Sequence, residues 1–216
     1  HCWGMTETSP IGTINRPVAK HYGQSFSERL DVAVKQGRPV YGVEIKITDE
    51  NDITLPNNGK DFGNLWIRGP WICSGYLNIE KSETHGEDDW FMTGDVATID
   101  EDGFMQITDR TKDVIKSGGE WISSIEIENF AVGHPSVMEA GVIGVFHPKW
   151  DERPLLIIVK NENAKVSKEE ILDFLKDKIV SWWMPDDVVF VESLPHTATG
   201  KIQKLALREQ VKDYKF

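Results

Sequence analysis

Along VYGVEIKITDEND (40–52), apolar residues fall at Val43, Ile45 and Ile47, the two-residue period of a strand, and the cluster Pro56-Asn57-Asn58-Gly59 closes it as a turn. GNLWIR (63–68) predicts a second strand stopped by Gly69-Pro70. Short strands are also predicted at Trp90-Phe91 and over 95–99 and 104–107, with Asp102-Gly103 as a hairpin turn. Ahead of them, SFSERLDVAVKQ (25–36) groups Leu30, Val32, Ala33 and Val34 just before Gly37, which predicts a short helix with a C-terminal glycine. Repeated short strands with regular turns predict a small barrel or a curled sheet.

The pattern changes after residue 108. A charged segment (Asp109, Arg110, Lys112, Asp113) runs into a short apolar strand, a Gly118-Gly119 turn and a helix. Ser123 or Ser124 can cap that helix, with Glu126 and Glu128 in its first turns. VMEAGVIGVFHP (137–148) predicts a glycine-interrupted strand and PLLIIVK (154–160) a buried one. Ser167 and Glu170 form a capping box before Ile171, Leu172, Leu175 and Ile179, which recur at helical spacing. DVVFVE (187–192) predicts a strand, LPHTATGKIQK (194–204) a polar loop, and a basic amphipathic helix closes the chain. The fold class expected is α+β: short strands with a barrel-like arrangement over residues 1–108, then a small βαββαβα unit over 109–216. The charged stretch between them is the expected domain junction.

Composition narrows the function classes. Of 216 residues, 39% are apolar and 27% charged, which suits a soluble globular protein. The net charge of −11 is uneven, with 17 acids against 9 bases up to residue 108 and 18 against 15 beyond it. No basic footprint for nucleic acid or an anionic membrane results. The charged runs KSETHGEDD (81–89) and WDE (150–152) read as solvated loops. No apolar run approaches the roughly 18–20 residues of a transmembrane segment, and no signal peptide is apparent, so a cytoplasmic location is expected. Cys2 and Cys73 lack metal or redox spacing, and the six histidines form no HxxxH or HExxH pattern, so an imidazole-held metal is not expected.

Reactive groups cluster at Thr6/Glu7, at Thr93-Gly94-Asp95, over 110–116 and over 197–201. None is specific alone. The TETS stretch reads first as a capped turn, TGD is a common turn, and a lysine after glycine is usually only exposed. Together they offer a carboxylate for Mg²⁺, an aspartate for both hydroxyls of a ribose, and two cations for phosphate charge. Neither GxxxxGK[ST] nor GxGxxG occurs.

WGMTE (3–7), TGD (93–95), DRTKDVIKSGGEWISSIEIE (109–128) and PHTATGKI (195–202), in this order and spacing, resemble four late motifs of the adenylate-forming acyl-CoA synthetase superfamily. The resemblance covers essentially the whole chain. It implies the C-terminal part of a medium- or long-chain fatty acyl-CoA synthetase-like enzyme, since complete members are more than twice as long and carry a phosphate-binding loop upstream. Residues 1–108 would end the large AMP-binding domain, and 109–216 would be the small mobile one, with a hinge near 109–113. A fragment of this kind is expected to be inactive alone and to expose apolar surface in its first half.

What the resemblance implies for individual residues is definite. Glu7 would ligate Mg²⁺ on ATP with Thr6 beside the phosphates, and Trp3, Gly4 and Met5 would line the adenine and acyl pockets. Asp95 would hold the ribose, assisted by Arg110. Lys112 would be the hinge, Lys201 the lysine that enters for adenylation, and Lys116, Gly118 and Gly119 the face where the CoA thiol arrives. Trp121 stands where acetyl-activating members carry arginine, which points away from acetate. The implied partners are a carboxylic acid, ATP and coenzyme A, and a homo-oligomer is left open. The alternatives are an adenylation domain or acyl-AMP ligase serving a carrier protein, and a non-catalytic interaction module derived from the family.

Overall fold

A computed structural model describes residues 1–79, 82–198 and 200–216. Lys81 of the charged run and Thr199 of the 194–204 loop lie outside the described residues. The chain divides into two compact units, His1–Thr111 and Lys112–Phe216. Among the described residues, no helix is long and apolar enough to cross a membrane.

In the first unit, β1 (Cys2–Trp3), β2 (Thr13–Ile14), the helix α1 (Phe26–Ala33) and β3 (Arg38–Pro39) come first, and the three strands form a small antiparallel sheet. The Ser25 hydroxyl caps α1 by accepting from Glu28 N, and the Glu28 carboxylate accepts from Ser25 N at 2.8 Å. Gly37 then turns the chain at φ 93°, where a Cβ would stand 2.2 Å from the Asn15 nitrogen. No residue of α1 is buried, and Phe26 is 74% exposed. Tyr41 and Leu77 add further exposed apolar surface to this unit.

β4 (Glu44–Thr48), β5 (Phe62–Arg68), β6 (Phe91–Ile99) and β7 (Met105–Arg110) form an antiparallel sheet in that order. This is the curled-sheet alternative rather than a barrel. Closure would require β4 to pair with β7, and β7 instead meets an isolated bridge from Gly37 to Met105. The segments expected as separate strands at 90–91 and 95–99 are one strand. Gly94, at φ 74°, and a register shift against β5 between Met92 and Val96 let β6 bend without breaking. Ile47, Leu65, Ala97, Ile99 and Met105 form one buried cluster, against which Trp3 packs.

The second unit runs β8 (Ile115–Ser117), β9 (Glu120–Ile122), α2 (Ser124–Val132), β10 (Val137–His147), β11 (Asp151–Lys160), α3 (Lys168–Leu175), β12 (Asp187–Val191) and α4 (Lys204–Gln210). The strand β9 was not expected: Gly118-Gly119 turns β8 back on it in a hairpin before α2 begins. Ser123 is the N-cap and accepts from Glu126 N at 3.2 Å.

β11 pairs with β10 antiparallel and β12 parallel, and meets β8 at Asp151–Ser117. Its Leu156 and Ile158 share a core with Ile127, Ala131, Ile171 and Leu175 of α2 and α3. Leu155, Ile157 and Val159 share the other with Leu207 of α4. Two buried faces explain why PLLIIVK is apolar throughout rather than alternating. WDE departs from the solvated-loop expectation. Asp151 and Glu152 begin β11, and Trp150 stacks edge-on against Trp182 at 4.9 Å, so pairing with β8 draws the segment into the fold.

The last residues are fastened to β12. The Tyr214 hydroxyl donates to Asp187, which also accepts from Lys168 Nζ at 2.8 Å. Burial and the Asp187 carboxylate push the Tyr214 phenol up to about 12. Asp187 itself lies below the usual carboxylate range, since its bonds to Lys168 and Tyr214 outweigh the burial that would raise it. A phenol raised above its unfolded value of about 10 stabilises the fold fully below that pH and loses this contribution as pH rises towards 12. Tyr214→Phe should therefore cost about 1–2 kcal/mol near neutral pH. It should also remove the part of the alkaline stability loss between pH 10 and 12 that Tyr214 contributes, read by urea unfolding across that range.

Candidate functional site

Residues 3–10 form a tight turn closed by Gly4 and Thr8. Gly4 passes so near Pro10 that a Cβ would lie 1.7 Å from its carbonyl oxygen. The buried Thr8 hydroxyl lies 3.0 Å from Met5 O and 2.8 Å from Pro10 O, and accepts from Met5 N at 2.9 Å. With Thr8 holding the inside of the turn, Thr6 is exposed and Glu7 half-buried. Glu7 is gripped from a second segment: its carbonyl accepts from Cys73 N, and its Oε1 accepts from the Tyr76 hydroxyl, both at 2.9 Å.

Asp95 lies just past Gly94 on β6 and is 5% exposed. Trp3 Nε1 donates to its Oδ2 at 3.0 Å, and Arg110 Nη1 lies 3.0 Å from Oδ1. Thr93 and Arg110 set this geometry from opposite sides. The Thr93 hydroxyl donates to Leu65 O and accepts from Asp95 N, while Arg110 is the β7 residue in register with Asp95. Three separate sequence motifs thus meet at one buried carboxylate, and its Arg110 partner is half-exposed.

In the second unit, Lys112, Lys116, Gly118, Gly119 and Lys201 are all exposed. Lys116 Nζ lies 5.7 Å from the Trp121 ring, its cross-strand neighbour. Gly118, at φ 59°, donates its N–H to Trp150 O at 2.8 Å, and Gly119 follows at φ 87° with open space beside it. Beneath them the buried Arg153 spans Asp186, Ser117, Trp182 O and Met184 O. Lys201 sits on a closed loop. A His196–Ile202 bridge shuts its base, and Thr197 N donates to Lys201 O at 2.8 Å.

Two sets of contacts had no clear signal in the sequence. Tyr76 belongs to a turn-rich stretch without periodicity. Arg208 donates to Asp113 at 2.8 Å and to Lys112 O at 3.2 Å, tying α4 to the first residues of the unit. One turn earlier, Lys204 Nζ pairs with Glu128 at 2.9 Å and also donates to Ser124. The four-residue spacing of these cations was visible, but not which acids they reach.

The profile of the family described as AMP-binding enzyme matches residues 1–77, and that described as AMP-binding enzyme C-terminal domain matches residues 126–201. The chain belongs to the AMP-binding enzyme family. It is 54% identical to the 3-methylmercaptopropionyl-CoA ligase of Ruegeria pomeroyi and 51% identical to the medium-chain-fatty-acid–CoA ligase of Ectopseudomonas oleovorans. Each alignment covers 99% of this chain and 39% of the relative. Among solved structures, ATP-bound MatB from Rhodopseudomonas palustris matches 97% of the chain and 40% of its own length, at a TM-score of 0.80 and 33% identity. The chain thus spans about two-fifths of the length of the relatives it matches.

Two glycines separate packing from strain. In the full-length protein, Gly4→Ala should cost more than about 3 kcal/mol, because the backbone oxygen facing it cannot yield. Gly94→Ala, in open space but at φ 74°, should cost only about 1 kcal/mol. Denaturant midpoints of the two variants check the contrast.

Proposed function

We propose that the full-length protein joins a fatty acid or similar carboxylate to coenzyme A, through an acyl-adenylate made from ATP with release of pyrophosphate and then AMP. The observation that carries this reading is the Trp3–Asp95–Arg110 constellation. A buried carboxylate held between an indole and a half-exposed arginine suits the paired hydroxyls of a ribose, and the arginine beside it suits a nearby phosphate. Trp3, Gly4 and Met5 are assigned to the adenine and acyl pockets. The names of the 54% and 51% identical relatives support an acyl-CoA product and a chain longer than acetate.

The donor set at the 3–10 turn fits Mg²⁺. Among the described residues no group of three or more His, Cys, Asp or Glu side chains could hold a metal ion. A single carboxylate, Glu7, is what a hard cation needs when phosphate oxygens and water complete its shell. Glu7 would hold the ion and Thr6 would lie beside the phosphates. The ion would neutralise charge on the ATP phosphates.

The chemistry runs two steps on one carboxyl group, the first at phosphorus through its oxygen and the second at its carbon. In the first step the substrate carboxylate attacks the α-phosphorus, and negative charge grows on the phosphoryl and pyrophosphate oxygens, where a lysine ammonium stabilises it. Lys201 is assigned that task, and its exposed position on a narrow loop suits entry into a site. In the second step the CoA thiol attacks the acyl carbon and AMP leaves. Lys116, Gly118 and Gly119 are assigned to that step, since the Gly-Gly turn presents backbone without side chains where a slim pantetheine chain must pass. Exchanging the two faces requires rotation of the second unit, and Lys112 is assigned the hinge. In this reading residues 1–108 close the AMP-binding domain and 109–216 are the mobile one. Residues 1–216 alone lack the phosphate loop and would not adenylate.

In the full-length protein, ATP–pyrophosphate exchange should proceed with medium or long acids across a C2–C16 panel. Lys201→Ala should lower it by about 10²–10³-fold. No exchange with any acid would remove the ligase reading.

A further inference from the structure

We propose that Tyr76 is a positioning residue that presents the Glu7 carboxylate to the divalent cation. This rests on the adenylation reading above and adds to it a residue that holds the metal ligand in place. Glu7 lies within a three-residue 3₁₀ turn, Thr6–Thr8, too short to restrict its side chain, so an unheld carboxylate would lose rotamer freedom each time it bound an ion. The 73–76 segment fixes the Glu7 backbone through Cys73 N on its carbonyl, and the Tyr76 hydroxyl on Oε1 removes the side-chain freedom. Among the described residues Oε2 has no protein partner, so one oxygen is fixed and the other remains for a ligand.

The support for Tyr76 reaches the sheet. Its ring meets His85 edge-on at 5.7 Å. His85 Nε2 lies 3.2 Å from Cys73 O, and its ring packs 5.1 Å from Phe91, which is 1% exposed on β6. Glu7 is thereby braced against the strand that carries Asp95. The type of donor matters as much as the distance. A lysine or arginine in the place of Tyr76 would neutralise the carboxylate and compete with the cation, whereas a phenol orients it and leaves its charge intact. Outer hydrogen bonds of this kind commonly change metal affinity by 10–100-fold.

The test uses the full-length protein with Tyr76→Phe and Glu7→Gln. Mn²⁺ affinity in the presence of ATP is read by electron paramagnetic resonance, AMP affinity without metal by calorimetry, and exchange rate against Mg²⁺ concentration by activity. Tyr76→Phe keeps every ring contact and loses one hydroxyl. It should weaken Mn²⁺ binding by about tenfold and raise the Mg²⁺ requirement for exchange. AMP affinity and the rate at saturating Mg²⁺ should stay within about threefold of the parent. Unchanged Mn²⁺ affinity in Tyr76→Phe, with affinity lost in Glu7→Gln, would overturn the proposal while leaving the adenylation reading intact. Loss of AMP affinity together with metal affinity in Tyr76→Phe would assign Tyr76 a structural role and also overturn it. Unchanged Mn²⁺ affinity in Glu7→Gln would remove the metal assignment on which the proposal stands.

Discussion

Asp95 sets the terms for the first unit. A carboxylate at 5% exposure is costly unless its oxygens are paired, and the pairing here comes from residues far apart in the chain, Trp3 at one end and Arg110 at the other. Meeting that demand requires β7 to lie in register with β6, and β1 to bring its indole against the same sheet. The irregularity of β6 around Gly94, at φ 74°, lies directly before this carboxylate. The apolar cluster of Ile47, Leu65, Ala97, Ile99 and Met105 supplies the stability against which this polar arrangement is held.

In the proposed reading the second unit must carry two exposed faces, one for each step, on a small compact body. Its central strand β11 is buried on both sides, with α2 and α3 covering one face and α4 the other. Polar contacts then fix the elements that bear the assigned residues. Lys204 and Arg208 tie α4, directly after the Lys201 loop, to α2 and to the Lys112-Asp113 backbone, and Arg153 underpins the Gly118 turn. The Lys201 loop and the Gly118-Gly119 turn are both left exposed. A body of this kind can exchange faces without reshaping either one.

Most elements could be read from residue spacing. The alternation at Val43, Ile45 and Ile47, the capping boxes at Ser25 and Ser167, and the apolar run 154–160 each imposed a local solution that packing confirmed. Failures came where a long-range contact overrode the local pattern. Closure or opening of the β4–β7 sheet depends on whether its edge strands meet, which no window of sequence encodes. WDE reads as solvent-facing until β8 pairs with Asp151 and Trp182 stacks on Trp150. β9 is too short, at three residues, to show a period. The residues assigned to the proposed site stood out by motif, but the contacts around them, Tyr76 on Glu7 and Arg208 on Asp113, join residues 69 and 95 positions apart.

The account depends most on Asp95 being a ribose site. Calorimetric affinities of the full-length protein for AMP and for 2′,3′-dideoxy-AMP, measured in the parent and in Asp95→Asn, test this directly. The account predicts that the parent prefers AMP by about 10–100-fold, the worth of hydrogen bonds to a charged acceptor, and that the isosteric variant loses most of that preference. Equal affinities in the parent, or a preference that survives in Asp95→Asn, would contradict it.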